Sequence, residues 1–309
     1  MTGFRGYIND EKTIQDALDD FINDRIANGL STASITAYED QIGVFSKHID
    51  FQMQIGELTK ADVNRAIKEM LDYNLSRNSI QSYVRSLRVF LRYCRECGFT
   101  SLDVKPFKGA ETVPETYTDE ELILLLRKPN MKKCRFSEYR TWVMVNLLVD
   151  SGIRSSSLRC IQNKDVEEYA VRLRHTKNKK SHTVPLSQNM SRLLRDYMKI
   201  RKGKPEDYLF PNLDGGQMTP ASLRHAIVRY NESRGVKKTS VHAFRHTFAR
   251  MYLVECGGDA LKLQRLLGHS TLDMTKHYVR LFDDDLIADF QKHSPLDKFA
   301  KDRITMPKK

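Results

Sequence analysis

The chain has 309 residues, 40% hydrophobic and 29% charged, with 51 Lys and Arg against 39 Asp and Glu for a net charge of +12. That length allows two ordinary domains. No apolar run approaches the roughly 18 residues a membrane span needs; the best, "WVMVNLLV" at 142–149, is short and carries Asn146.

Five scattered cysteines (Cys94, Cys97, Cys134, Cys160, Cys256) argue against a disulfide framework, and "CREC" at 94–97 has no second Cys or His pair for zinc. The N-terminus lacks an apolar signal core, so a cytoplasmic protein with no membrane partner is expected. Charge is uneven: residues 1–50 hold nine acids and four bases, the remainder 30 acids and 47 bases. Such an excess favours a polyanionic partner, because each neutralised phosphate releases counterions.

In chain order, Ile14, Leu18, Phe21, Ile22 and Ile26 recur at helical spacing and predict a helix over 13–27, stopped by Asn28–Gly29. Ser31 and Thr32 offer caps for a second, with Ile35, Tyr38, Ile42, Phe45 and Ile49 along one side. "TKAD" at 59–62 resembles a capping box opening a third. The fourth, about 78–97, has an apolar stripe of Ile80, Val84, Leu87, Leu91 and Cys94. Arg85, Arg88, Arg92 and Arg95 recur on a separate face. Such a face suits DNA phosphates and suits plain solvation equally.

The segment 103–116, with two prolines and a glycine, reads as a linker. The expected organisation is a helical domain over 1–104, a linker over 105–116 and a second domain over 117–309. "TDEE" at 118–121 caps the second domain's first helix; further helices are predicted over 119–127, 137–150, 188–201, 220–233, 242–255 and 259–267. β-rich stretches at 169–174 and 181–186, joined by a lysine-rich turn, predict a hairpin. The fold class is therefore mainly α with a small antiparallel β-sheet, the second domain being α+β.

Four segments of that domain could carry chemistry. "SGIRSSSLR" sets Arg154 after a glycine turn, "HTKNKKSHTVPL" sets Lys177 in the hairpin turn, and "HAFRHTFAR" sets His242 and Arg245 one helical turn apart. "LGHSTLDMTKHY" holds His269 and Tyr278. His242 and His246 at i, i+4 lack the Glu of a zinc-protease helix, since Ala243 stands there.

In this order the motifs "SGIR", "TKNKKSHTVPL", "HAFRH" and "LLGH" and the late tyrosine resemble the tyrosine recombinases, the family of phage integrases and chromosome-dimer resolvases. The resemblance runs over nearly the whole chain and implies that 1–104 is a core-site DNA-binding domain and 117–309 the catalytic domain with a C-terminal tail. It implies Arg154 and Arg245 as paired phosphate-binding arginines, Lys177 as general acid, His242 and His269 as accompanying histidines, and Tyr278 as nucleophile. His246 reads as a packing neighbour and His277 matches no catalytic position. One position departs: where the family usually has an acid three residues after the first arginine, this chain has Ser157.

The chemistry suits these residue types. Guanidinium forks its donors to match the phosphate oxygens that gain charge. Tyrosine, with an ordinary pKa near 10, needs dense positive charge to become a phenolate. No cofactor and no metal are implied. The resemblance further implies a covalent 3′-phosphotyrosyl intermediate on double-stranded DNA with paired half-sites. It implies a homotetrameric synapse with exchange of the tail after Tyr278 (Leu281, Phe282, Leu286, Ile287, Phe290), with accessory DNA-bending or directionality proteins as further partners.

That tail resembles integrases of mobile elements, so integration or excision of such an element is the expected role. A dimer resolvase or a catalytically weak DNA-binding relative is the alternative. A type IB topoisomerase, which uses related residues, is disfavoured by size and by the compact N-terminal helices. The early start of those helices carries the expectation that no separate arm-site domain is present.

Overall fold

The computed structural model describes residues 12–110, 113–174 and 182–268. Lys177, His269 and Tyr278, together with His277 and the tail, lie outside the described residues. The chain divides into two compact units, residues 1–112 and 113–309.

The first unit is helical: α1 (Ile14–Ala27), α2 (Thr32–Gly43), α3 (Lys60–Asp72) and α4 (Arg77–Glu96). The Thr13 and Thr59 side chains accept from the backbone N–H of Asp16 and Asp62, whose carboxylates reach back, so both capping boxes form. The second predicted helix differs at its end. It stops at Gly43 and tightens into a 3₁₀ turn over Val44–Lys47, which still buries Phe45. At the centre Phe21 meets Tyr38, Tyr93 and Phe90 edge-on, with centroids 5.3, 5.5 and 5.7 Å away. The whole predicted stripe of α4 is buried there, with Phe90 added.

Residues 102–109 lie back along α4. Arg95 donates to the Leu102 carbonyl (2.7 Å), Arg88 Nε to that of Val104 (2.8 Å), and Arg77 sits 5.2 Å over the Phe107 ring. Near the start of α4, Gly109 passes so close to Asn78 and Gln81 that a Cβ would collide with both. The order of these contacts makes the segment an antiparallel strap that follows α4 from its end to its beginning.

The second unit is built around α6 (Phe136–Ser151), which packs against α5 (Asp119–Leu126), α8 (Gln188–Arg201), α9 (Pro220–Ser233) and α10 (Val241–Arg250). Ten of its residues are buried, so it is covered nearly all round, as an interior helix must be. A short α7 (Ser155–Cys160) follows, then β1 (Ala170–Leu173) and β2 (His182–Pro185). These pair antiparallel, Ala170 opposite Pro185 and Leu173 opposite His182, one residue shorter at each end than predicted. The predicted helix over 242–255 is α10 continued by a π-helical turn, Met251–Glu255, before α11 (Ala260–Leu267). Among the described residues the protein is thus mostly helical with one two-stranded sheet, and no helix is long and apolar enough to cross a membrane.

Candidate active site

α6 ends at Gly152 in the left-handed conformation (φ 57°, ψ 21°). A side chain there would be strained and would also collide with Phe248 of α10. This turn delivers Arg154 to the N-cap of α7. α10 crosses the same turn. It is anchored by Ser240, whose hydroxyl accepts from Ala243 N–H, and by Tyr117, whose ring stacks on Phe244 at 4.3 Å and whose N–H donates to Thr247 Oγ1 at 2.8 Å. Arg245, only 4% exposed, is thereby held inside.

The two arginines converge. Arg245 donates through Nη1 to the Gly152 carbonyl and through Nη2 to the Leu267 carbonyl, both at 2.8 Å. Arg154 donates to Leu267 at 3.3 Å and to Gly268 at 3.2 Å. Those acceptors are carbonyls left over at the end of α11, where Gly268 turns left-handed at φ 60°. One backbone oxygen therefore serves both guanidiniums and brings them to a common centre. Ser157 lies on α7 one turn beyond Arg154 and is buried; carbonyls of the α11 turn are among the groups that hold Arg154 here.

His242 lies at the surface on the first turn of α10, its ring 5.4 Å from that of half-buried His246. Its pKa is lowered, first by loss of solvent around the ring and then by the charges of Arg245 and Arg154. The residue is exposed, so water screens those charges in part. A neutral imidazole beside two guanidiniums can accept a proton near pH 7.

From His242 a cleft of about 680 Å³ opens between α7, α9 and the segment leading into α10, lined among others by Ser155, Arg159, Arg224, Lys237, Lys238 and the acid Glu115. Arg159 is bound to the Met218 carbonyl (2.9 Å) and Lys238 to Glu121 and the Thr116 carbonyl (2.9 Å each), whereas Arg224 and Lys237 are exposed. Single exposed bases carry no signal in sequence, so the cleft was not legible there.

Several tyrosines have the opposite environment to a nucleophile. Tyr117, Tyr197 and Tyr230 are buried, and each hydroxyl donates to a backbone carbonyl, of Ser240, Leu209 and Leu125 respectively. Burial raises all three pKa values, that of Tyr230 to about 12. Cys94 is likewise inert: burial pushes its thiol to about 12. Among the described residues no three His, Cys, Asp or Glu side chains gather as a metal site would require.

A family model described as "Phage integrase family" matches residues 118–284, more than half of the chain. The chain belongs to the phage integrase family. As a tyrosine recombinase it is an enzyme of site-specific DNA strand cleavage and rejoining. Tyrosine recombinase XerC of Thermodesulfovibrio yellowstonii is 28% identical over 291 residues, covering 89% of this chain and 94% of that protein. Two solved structures share the fold. The Tn1549 transposon integrase in complex with transposon right end DNA is 19% identical with a TM-score of 0.73, covering 92% of this chain and all (100%) of that one. The lambda integrase tetramer bound to a Holliday junction is 15% identical with a TM-score of 0.70, covering 87% and 78%. Within this family, the structure brings Arg154, Arg245 and His242 together.

Proposed function

We propose that Arg154 and Arg245 clamp the scissile phosphate of double-stranded DNA while Tyr278 attacks it. The observation that carries this reading is the convergence of the two guanidiniums on Leu267 beside His242. The phenolic oxygen of Tyr278 bonds to phosphorus and the bond to the 5′-oxygen breaks. Neutral His242 accepts the phenol proton, and Lys177 donates one to the leaving 5′-oxygen. His269 adds a further hydrogen bond to the phosphate. The phosphodiester energy is kept in the 3′-phosphotyrosyl bond, so a 5′-hydroxyl of a partner strand can reverse the step on new DNA. Arg224 and Lys237 of the adjoining cleft, and Arg85 and Arg92 of α4, contact flanking phosphates. The lambda integrase likeness supports a tetrameric synapse, with the tail after Tyr278 exchanged between protomers.

The biological role we propose is integration or excision of a mobile element. Dimer resolution is the second reading, favoured by the near full-length match to a XerC recombinase.

The reaction is tested with duplexes that the protein itself selects from a random library, nicked near the cleavage point and end-labelled. The expected product is protein attached to the 3′-phosphate side, with a free 5′-hydroxyl that polynucleotide kinase can label. A 5′-phosphotyrosyl adduct would refute it. Mapping the selected sequence onto the host genome separates the roles: repeats flanking the coding region indicate integration, a single chromosomal site indicates resolution.

A further inference from the structure

His182 opens β2, the strand that returns from the hairpin turn, and its Nε2 lies 3.0 Å from the carbonyl oxygen of Leu266. A carbonyl only accepts, so Nε2 carries the hydrogen. The next two carbonyls, of Leu267 and Gly268, receive Arg245 and Arg154. Three consecutive acceptors at the end of α11 are thus gripped from β2, from α10 and from the turn before α7. The ring also flanks the turn: a Cβ on Gly268 would lie 3.6 Å from His182 Cδ2 and 3.7 Å from Arg154 Nη1. Imidazole and guanidinium therefore stand against the same point of the backbone.

We propose that His182 is a positioning residue for the phosphate clamp, fixing the α11 turn whose carbonyls aim Arg154 and Arg245. The proposal rests on the clamp reading above. Arg154 should depend on it more than Arg245. Its bonds to the turn are 3.2 and 3.3 Å long and its side chain is half-buried, whereas Arg245 is buried with two bonds of 2.8 Å. Without the imidazole donor the Leu266 carbonyl loses its side-chain partner and the turn can rotate, carrying the Arg154 acceptors with it.

The test compares His182→Gln, whose amide N–H₂ can donate from nearly the same place, with His182→Met, of similar shape but without a donor. Each is assayed for affinity and for single-turnover cleavage on the nicked, protein-selected duplex. The Met variant should bind within about twofold of the unsubstituted protein and cleave roughly tenfold or more slowly, as for a small misplacement of a catalytic group. The Gln variant should recover most of the rate. Cleavage by the Met variant at the unsubstituted rate, or no advantage of Gln over Met, would overturn the proposal. So would a parallel loss of affinity, rate and melting temperature, which is the mark of a purely structural side chain. If the unsubstituted protein forms no adduct on any selected duplex, the clamp reading itself fails and takes this inference with it; that result is distinct from cleavage that ignores residue 182.

Discussion

Arg154 and Arg245 reach the Leu267 carbonyl from different elements, and this shared acceptor brings the two guanidiniums to one point. Arg245 serves Gly152 and Leu267 at once through its two terminal nitrogens, which a single ammonium cannot do in the same geometry. Arg245→Lys should therefore lower covalent cleavage about 100-fold or more with folding retained, measured by single-turnover adduct formation and circular dichroism. His242 gives a pH prediction with a definite sign. Its imidazole must be neutral to accept a proton, and its pKa lies below the ordinary 6.5. Activity should persist as pH falls to 6.5 and be lost only below it, with a cleavage-rate midpoint above 6.5 counting against the assignment. Gly152→Ala places a side chain at φ 57° and against Phe248, so thermal melting should show a loss of about 1–3 kcal/mol.

At the scale of elements, the arginine face of α4 divides in two. Arg85 and Arg92, seven residues apart, share one line of the helix and are exposed; Arg88 and Arg95 share another and hold the 102–104 backbone. Replacing Arg85 and Arg92 with Ala should shallow the salt dependence of DNA binding by about one unit of slope per lost phosphate contact, with melting unchanged. Replacing Arg88 and Arg95 should instead lower the melting temperature. The apolar stripe of α4 was readable because its burial follows helical period. The division of the arginines was not, because a basic face repeats identically whether it meets solvent, phosphate or its own strap. The π-turn after α10 was hidden for a related reason, since Met251–Glu255 continues an ordinary helical pattern. The motif order pointed to Arg154, Arg245 and His242 as partners, but their common acceptor is a backbone oxygen, which has no signature in a side-chain pattern.

Across the whole molecule, the surplus of bases falls outside residues 1–50. The second unit presents Arg224 and Lys237 in the cleft beside the clamp, the first Arg85 and Arg92 on α4. Each unit therefore exposes arginine or lysine side chains of the kind that the proposed contacts to flanking phosphates need. The proposed nucleophile, Tyr278, is checked by mass mapping of the covalent adduct formed on a nicked, protein-selected duplex, with Tyr278→Phe alongside. The expected result is a nucleotide on Tyr278 in the unsubstituted protein, and no adduct but unchanged DNA affinity in the Phe variant. An adduct on another residue, or one that survives Tyr278→Phe, would contradict it.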